Sequence, residues 1–179
     1  MATNESSAGG QSPSVDTATR QEIGKVAQLA REQAKNVLKK IPALGPVAWL
    51  MLASASTRHT LLSELEWRVM PALVLDQAKL YMRDESPVGF VSWALLSDAA
   101  AQRYRQSPHH LAASDWKSGD QVWLVDVLAP FGGAQDVLQD IREVVFKGQQ
   151  VRQLLPSGNT QAEVLTWPAL SGFAQSPSR

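Results

Sequence analysis

An apolar segment at residues 123–129, Trp-Leu-Val-Asp-Val-Leu-Ala, sets the first condition on the fold. Its single carboxylate, Asp126, has apolar neighbours on both sides, and the breaker Pro130-Phe131-Gly132-Gly133 closes the run. This pattern predicts a strand that is buried on both faces of a sheet. Burying an ionised carboxylate costs several kcal/mol unless a cation or hydrogen-bond donors meet it. Asp126 is therefore predicted to have a partner or a function.

Composition excludes several classes of function. The chain has 179 residues, enough for one domain with a core. Its 17 basic and 17 acidic residues balance, so a general nucleic-acid surface is not expected. The absence of cysteine excludes thiol nucleophiles, disulfides and thiolate zinc sites. No apolar run is long enough for a transmembrane segment and the N-terminus lacks a secretory pattern, so we expect a soluble cytoplasmic protein.

The domain organisation is predicted from shifts in composition. Residues 1–18 are small and polar, which favours a disordered segment, and residues 171–179 are predicted to be a flexible tail. Residues 19–42 form a predicted amphipathic helical extension, in which Thr19 and Glu22 fit a capping box and Pro42 ends the helix. Its narrow apolar stripe is expected to pack on its own domain, with another chain as the alternative. Residues 43–170 are predicted to be the main domain.

Within the main domain, strand-like and helical segments are mixed. A buried helix is predicted at 47–53 with a polar exit at 54–58, followed by a mixed apolar segment at 61–75. Strands are predicted at 78–83, 88–95, 121–128, 150–155 and 162–167, and helices at 97–105 and 133–146. Residues 84–87 are a predicted hairpin turn. This order predicts an α/β (α+β) fold with a central mixed sheet flanked by helices.

Few side chains are candidates for chemistry. His59 follows the predicted buried helix, and the alternative is a histidine satisfied by a carbonyl at a helix end. His109 and His110 lie in a loop without an apolar frame, which predicts solvated side chains and no metal site. For Asp126 the alternative to catalysis is a structural pair with arginine or backbone donors. No nucleophile elbow and no glycine-rich phosphate loop is present.

Three blocks of sequence together resemble a known family. The blocks are Leu44–Leu50 running to Ser56-Thr57-Arg58-His59, then Pro87–Ala94 with Leu96-Ser97 and Tyr104, then Asp115–Trp123 followed by Asp126 and Ala129-Pro130-Phe131-Gly132. In order and separation they are similar to the RTX toxin-activating (hemolysin-activating) lysine acyltransferases. The resemblance covers residues 44 to about 155.

The resemblance implies a fold similar to the GNAT acyltransferases and a specific reaction. Enzymes of this family move a fatty acyl group from acyl carrier protein (ACP) to the ε-amino group of internal lysines of an RTX-type protoxin. His59 and Asp126 fall on the family's catalytic pair, and Ser56 on a serine three residues before that histidine. Tyr104 and Arg152 fall on family positions that are candidates for substrate binding.

The implied chemistry suits these residue types. A neutral imidazole at His59 can take the proton from a lysine amine as it attacks the thioester, and Asp126 can orient and stabilise the imidazolium. Ser56 or backbone N–H groups are candidate donors to the oxyanion. Trp49, Trp93 and Trp123 lie in the same segments as these polar residues, so we expect them to contact the acyl chain.

The resemblance also bears on cofactors and partners. No bound cofactor and no metal is expected, because acyl-ACP is a substrate, and a homodimer is favoured. Two alternatives stay open. One is a GNAT-type transferase that uses acyl-CoA, although the chain lacks the usual glycine loop for the CoA pyrophosphate. The other is a non-catalytic homologue that binds a partner through the helix at 19–40.

Overall fold

The computed structural model describes residues 14–155 and 162–170. Residues 1–13 of the segment predicted to be disordered, 1–18, lie outside the described residues, as does the tail predicted at 171–179. The prediction is wrong for residues 14–18, which are helical, so the helix begins before the predicted start at Thr19. The chain divides into two units, residues 1–39 and residues 40–179. In the first unit residues 14–39 are helical, and the side chains of residues 19–39 are exposed.

Helices and strands alternate along the second unit much as predicted. The helix α1, Ser14–Ala53, begins in the first unit and ends in the second. The elements that follow are a 3-10 turn Leu62–Glu64, α2 Leu65–Arg68, α3 Met70–Val74, β1 Ala78–Arg83, β2 Ser86–Leu96, α4 Asp98–Tyr104, β3 Gln121–Leu128, α5 Ala134–Asp140, a π-helical segment Ile141–Val145, β4 Val151–Leu155 and β5 Glu163–Trp167. All five predicted strands are confirmed, each within two residues at either end.

The five strands form one mixed sheet in the order β1-β2-β3-β4-β5. The pair β3–β4 is parallel and the other three pairs are antiparallel. The prediction of a central mixed sheet flanked by helices is confirmed. The β3–β4 ladder joins only residues 122–124 of β3 to residues 151–153 of β4, so Asp126 lies beyond the end of that ladder.

Both faces of the sheet are covered, as the apolar β3 segment predicts. On one face Phe90 of β2 packs in a cluster with Leu50 of α1, and Ala94 in a cluster with Tyr104 of α4. On the other face Trp93 packs in a cluster with Ile141 beyond α5. Because successive residues of a strand point to opposite faces, β2 supplies the two sides in alternation.

A β-bulge decides which face Asp126 occupies. Ser92 of β2 opposes Asp126, whereas the next residue, Trp93, opposes Leu124, so Val125 is an extra residue in β3. Strict alternation would place Asp126 on the face of Leu124, which packs with the α5 cluster. The bulge shifts it to the face that carries Ser92 and α4.

The predicted end of α1 at Pro42 is wrong. The helix includes Pro42 and Pro46 and ends at Ala53. Proline in a helix interior removes a hydrogen bond and costs about 3 kcal/mol, so packing must offset it. Val47 and Leu50 are fully buried against the sheet face that carries Phe90, and this tertiary burial favours the continued helix.

The predicted burial of residues 47–53 holds for only one side of α1. Trp49 and Leu52 are 57% and 62% exposed, since only one face of the helix meets the sheet. The polar exit is confirmed: the hydroxyls of Ser54 and Thr57 donate to carbonyl oxygens of Leu50 and Met51 at 2.9 Å. These bonds satisfy carbonyls that a helix end leaves without intrahelical donors.

A loop ahead of β3 packs closely on the end of β2. Gly119 lies so near that a Cβ atom there would stand 2.6 Å from the carbonyl oxygen of Leu96 and from backbone atoms of Ser97. The N–H groups of Ser118 and Gly119 both donate to Leu95. The loop therefore requires glycine at this position. In the part of the chain that the structure describes, no helix has both the length and the hydrophobicity needed to cross a bilayer.

Candidate active site

Asp126 forms a bidentate ion pair with Arg68 of α2. The Asp126 side chain is 3% exposed and that of Arg68 is 25% exposed. Arg68 Nη2 donates to Oδ1 at 2.5 Å, and Nε lies 3.1 Å from Oδ1 and 3.0 Å from Oδ2. The backbone N–H of Asp126 donates to the hydroxyl of Ser92 at 3.2 Å. For Asp126, the alternative of a structural pair with an arginine is therefore what the structure shows.

The electrostatics of this pair follow from burial and charge. Burial by itself lowers the pKa of Arg68, but the hydrogen bonds and negative charge of Asp126 outweigh it, and the pKa is raised overall. Burial, reinforced by the charge of Asp126, raises the pKa of Tyr104 well above its usual range. Tyr104 is thus a neutral hydrogen-bonding group at physiological pH, while Arg68 stays a cation.

A cavity of about 270 Å³ lies beside the ion pair. Its walls combine aromatic and aliphatic side chains with a few polar groups. The lining residues are Glu64, Trp67, Arg68, Tyr104, Pro108, His109, Val125, Leu154, Leu155 and Ala162. An apolar cavity with a small number of polar groups is the usual form of a small-ligand site.

The loop after α4 forms one wall of this cavity. His109 Nδ1 lies 3.0 Å from the carbonyl oxygen of Tyr104. The His110 ring packs on the ring of Trp67 with 4.3 Å between centroids. The prediction of a solvated side chain is wrong for His109, which is half-buried in the cavity wall, and is confirmed for His110, which is exposed although its ring packs on Trp67.

His59 and Ser56 lie on the turn segment that follows α1, and both side chains are exposed. Among the described residues, the Asp126 carboxylate accepts its hydrogen bonds from Arg68 and none from His59. The structure therefore does not join the predicted catalytic pair, and the roles of His59 and Ser56 stay predictions.

Tyr104 is part of the site, and Arg152 lies beside it. Tyr104 is buried and meets the ring of Trp123 edge to face at a centroid distance of 6.0 Å. Arg152 of β4 stands over that same ring at 6.0 Å and donates to Gln150. It lines a separate cavity of about 510 Å³ that also contacts Trp123. Arg152 is thus not among the described residues that line the cavity beside Arg68.

The three tryptophans predicted to contact an acyl chain are not brought together. Trp93 lies on the α5 face of the sheet, where it packs on Phe146 at 5.3 Å between centroids. Trp123 lies on the opposite face, and Trp49 is exposed on α1. One acyl chain cannot contact all three, since the sheet stands between two of them.

Three residues of the site were not predicted: Trp67, Arg68 and His109. Arg68 carries a signal in the sequence, since it is the last charged residue before the uncharged run 69–75. A buried carboxylate needs a cation, and a basic residue that adjoins an apolar run is a natural candidate. His109 and Trp67 have no comparable signal, because their place in one cavity depends on how two distant segments pack.

Comparison with known proteins decides the family. Residues 36–168 match the family model of the RTX toxin acyltransferases. The chain belongs to this family. The matched range includes Arg68, Tyr104, His109 and Asp126, as well as His59. The resemblance found in the sequence is therefore confirmed, the prediction of an acyltransferase is confirmed with it, and the mixed sheet agrees with the GNAT-like fold it implies.

Curated members of the RTX toxin acyltransferase family show the extent of the similarity. The RTX-III toxin-activating lysine-acyltransferase of Actinobacillus pleuropneumoniae is 32% identical over 138 residues, which are 76% of this chain and 79% of the relative. The protein-lysine myristoyltransferase HlyC of Escherichia coli is 39% identical over 54% of this chain and 57% of its own. The leukotoxin-activating lysine-acyltransferase LtxC of Aggregatibacter actinomycetemcomitans is 44% identical over 50% and 53%. The matches to HlyC and LtxC thus span little more than half of those relatives.

Proposed function

We propose that this chain transfers a fatty acyl group from acyl-ACP to the ε-amino group of internal lysines of an RTX-type protoxin, and so activates the toxin. The observation that carries the proposal is the family match over residues 36–168, within which lies a buried charge pair beside an apolar cavity. The relatives are named as lysine acyltransferases that activate RTX toxins or leukotoxin. A cytoplasmic location and a homodimer belong to the same proposal.

The chemistry requires a proton acceptor and a stabilising charge. A lysine ammonium is a poor nucleophile until it loses a proton. In the proposal His59 takes the proton that the amine releases as it attacks the thioester, and Asp126 stabilises the imidazolium. Arg68 places two of its three hydrogen bonds on Oδ1 of Asp126, so Oδ2 keeps acceptor capacity for a further donor. Ser56 is a proposed donor to the oxyanion, while Tyr104 and Arg152 are proposed to bind substrate.

A mass-spectrometric transfer assay tests this function. The purified protein would be incubated with acyl-ACP of several chain lengths and a candidate protoxin, with acyl-CoA donors in parallel. We expect lysine-linked acyl groups from acyl-ACP. His59→Gln and Asp126→Asn should each reduce the rate at least about 100-fold, as the loss of a general acid–base group does. Asp120→Asn is the matched control, since Asp120 is an exposed carboxylate ahead of the same strand.

The other outcomes separate the alternatives. Transfer from acyl-CoA alone would support a GNAT-type donor and contradict the ACP proposal. Binding of the protoxin without transfer from any donor would leave the non-catalytic homologue as the better description. Full activity of folded His59→Gln would remove His59 from the reaction.

A further inference from the structure

The backbone of His109 adopts an uncommon conformation that fixes its side chain. Its φ is 59°, in the left-handed region that residues other than glycine seldom occupy. Its N–H donates to the carbonyl of Gln106 at 2.8 Å, which closes a turn after α4. Such strain persists only where the surrounding structure imposes it, and it is concentrated at functional sites. The result is that the imidazole lines the cavity beside Arg68.

The hydrogen bond of His109 determines its tautomer. Nδ1 lies 3.0 Å from the Tyr104 carbonyl oxygen, and a carbonyl can only accept. Nδ1 therefore carries the hydrogen, and in the neutral ring Nε2 keeps its lone pair. Among the residues that the structure describes, Nε2 has no hydrogen-bond partner. The ring is thus held as an acceptor by a backbone group that does not titrate.

The other charged and titratable groups that line the cavity are Arg68, Tyr104 and Glu64. Arg68 is neutralised by Asp126, and Tyr104 is a neutral phenol. Glu64, from the turn before α2, accepts the N–H of Leu61 at 2.9 Å through Oε2 and contributes a negative charge to the cavity lining. Among the described lining residues, His109 therefore supplies the ring nitrogen with an unused acceptor site, and Oε1 of Glu64 stays available to attract an ammonium.

We propose that His109 is a further catalytic residue, whose Nε2 takes the first proton from the ammonium of the target lysine bound in this cavity. The cavity suits a lysine side chain, because the rings of Trp67 and Tyr104 can pack against its methylenes and Glu64 attracts its charge. The inference rests on the proposed function and adds to it the place where the acceptor lysine is deprotonated.

The nitrogen of the lysine ammonium loses two protons in this reaction. The ammonium gives one proton to His109, which returns it to solvent after the turnover. The neutral amine then attacks the thioester carbonyl carbon, and a nitrogen–carbon bond forms. The adduct gives its second proton to His59, and the carbon–sulfur bond breaks. The leaving sulfur takes that proton and departs as a thiol, so charge and atoms balance without any other reactant.

His109→Asn is the decisive variant. The asparagine amide can donate to the Tyr104 carbonyl in place of Nδ1 and tolerates a left-handed backbone, but it has nothing in place of Nε2. We expect kcat/KM near neutral pH to fall about 100-fold. The loss should shrink as the pH rises toward the lysine pKa of about 10.4, where the amine deprotonates in solution. A structural role would instead lower the rate by the same factor at every pH.

His110→Phe is the matched control. His110 is the next residue and contributes a ring contact with Trp67, which phenylalanine preserves. This variant should transfer at the wild-type rate. Equal losses in both variants, or a wild-type rate in His109→Asn, would overturn the proposal.

A measurement without turnover separates this inference from the proposed function. Nitrogen NMR of the histidine rings reports which nitrogen carries the hydrogen. We expect an Nδ1–H tautomer for His109, and a shift of its Nε2 signal when Nα-acetyl-lysine methylamide is added as an amine probe. An Nε2–H tautomer or an unchanged signal would refute the role of His109, whether or not the wild type transfers acyl groups. A shifted signal in a protein that transfers nothing would support the amine site and count against the proposed function alone.

Discussion

At the scale of single residues, the site depends on how Asp126 is compensated. Arg68 provides the only charged hydrogen bonds that the described residues make to this carboxylate. Removing the cation while the carboxylate stays buried leaves an uncompensated charge, which costs about 3–5 kcal/mol. We therefore expect Arg68→Met to lower the free energy of unfolding by that amount, as measured by urea denaturation at neutral pH.

The double variant distinguishes the pair from simple packing. Arg68→Met combined with Asp126→Leu removes both charges, so most of the lost stability should return, since a well-packed apolar pair is often as stable as a buried ion pair. A double variant as unstable as the single one would show that the Arg68 methylenes matter more than its charge. Activity should be lost in both cases.

The same scale shows what could be predicted about the site. Asp126 was identifiable because a lone carboxylate in an apolar run demands a partner wherever the strand lies. Its partner was not, since Arg68 is 58 positions away and its approach depends on how α2 packs. The role of His109 depends on a carbonyl to which it hydrogen-bonds and a backbone turn, and neither leaves a pattern in the sequence.

At the scale of elements, the loop before β3 is held by a close backbone approach. A Cβ at position 119 would lie 2.6 Å from the backbone of Leu96 and Ser97, which cannot move without disturbing β2. Forcing atoms into a packed region costs about 1–3 kcal/mol. We expect Gly119→Ala to destabilise the protein by that amount in urea unfolding.

Gly45→Ala is the comparison for this prediction. Gly45 lies inside α1, and a Cβ there meets no atom within 4 Å. Alanine in a helix interior is about 0.5–1 kcal/mol more favourable than glycine, so this variant should be more stable than the wild type. Destabilisation by both substitutions would show that the close approach is not the cause.

The elements also show where local patterns fail. The strands were predictable because alternation and turn residues act over neighbouring positions. The bulge at Val125 was not, since it exists only in the pairing of β3 with β2. The continuation of α1 through Pro42 was predicted wrongly, because the burial of Val47 and Leu50 that offsets the proline is a tertiary effect.

At the scale of the whole molecule, folding raises the pKa of both tyrosines of the chain. Burial, with a hydrogen bond to Asp140, raises the pKa of Tyr81, and burial near the charge of Asp126 raises that of Tyr104. A pKa that is higher in the folded state gives stability that is complete below the unfolded value of about 10 and is lost as the pH rises above it.

The two tyrosines should therefore not ionise during alkaline titration until the protein unfolds. We expect no tyrosinate absorbance from the folded protein at about pH 11, where the unfolded chain is mostly ionised. Stability should fall by about 1 kcal/mol through buried Tyr104 between about pH 9.5 and 11, with a smaller part from partly exposed Tyr81. The Tyr81→Phe variant should retain the larger part of this fall in stability, since that part comes from Tyr104. Normal titration of both phenols in the folded state would contradict the burial of Tyr104.

Sequence patterns were sufficient to predict the five strands, the class of the sheet, the family and the position of the buried carboxylate. Each of these follows from patterns within a few neighbouring residues or from blocks that keep their order. Only the folded chain shows that Asp126 faces α4, that Arg68 neutralises it and that His109 lines the cavity beside this pair. These depend on strand register and on contacts between distant segments, and the free energy of such contacts exists only once the chain has folded.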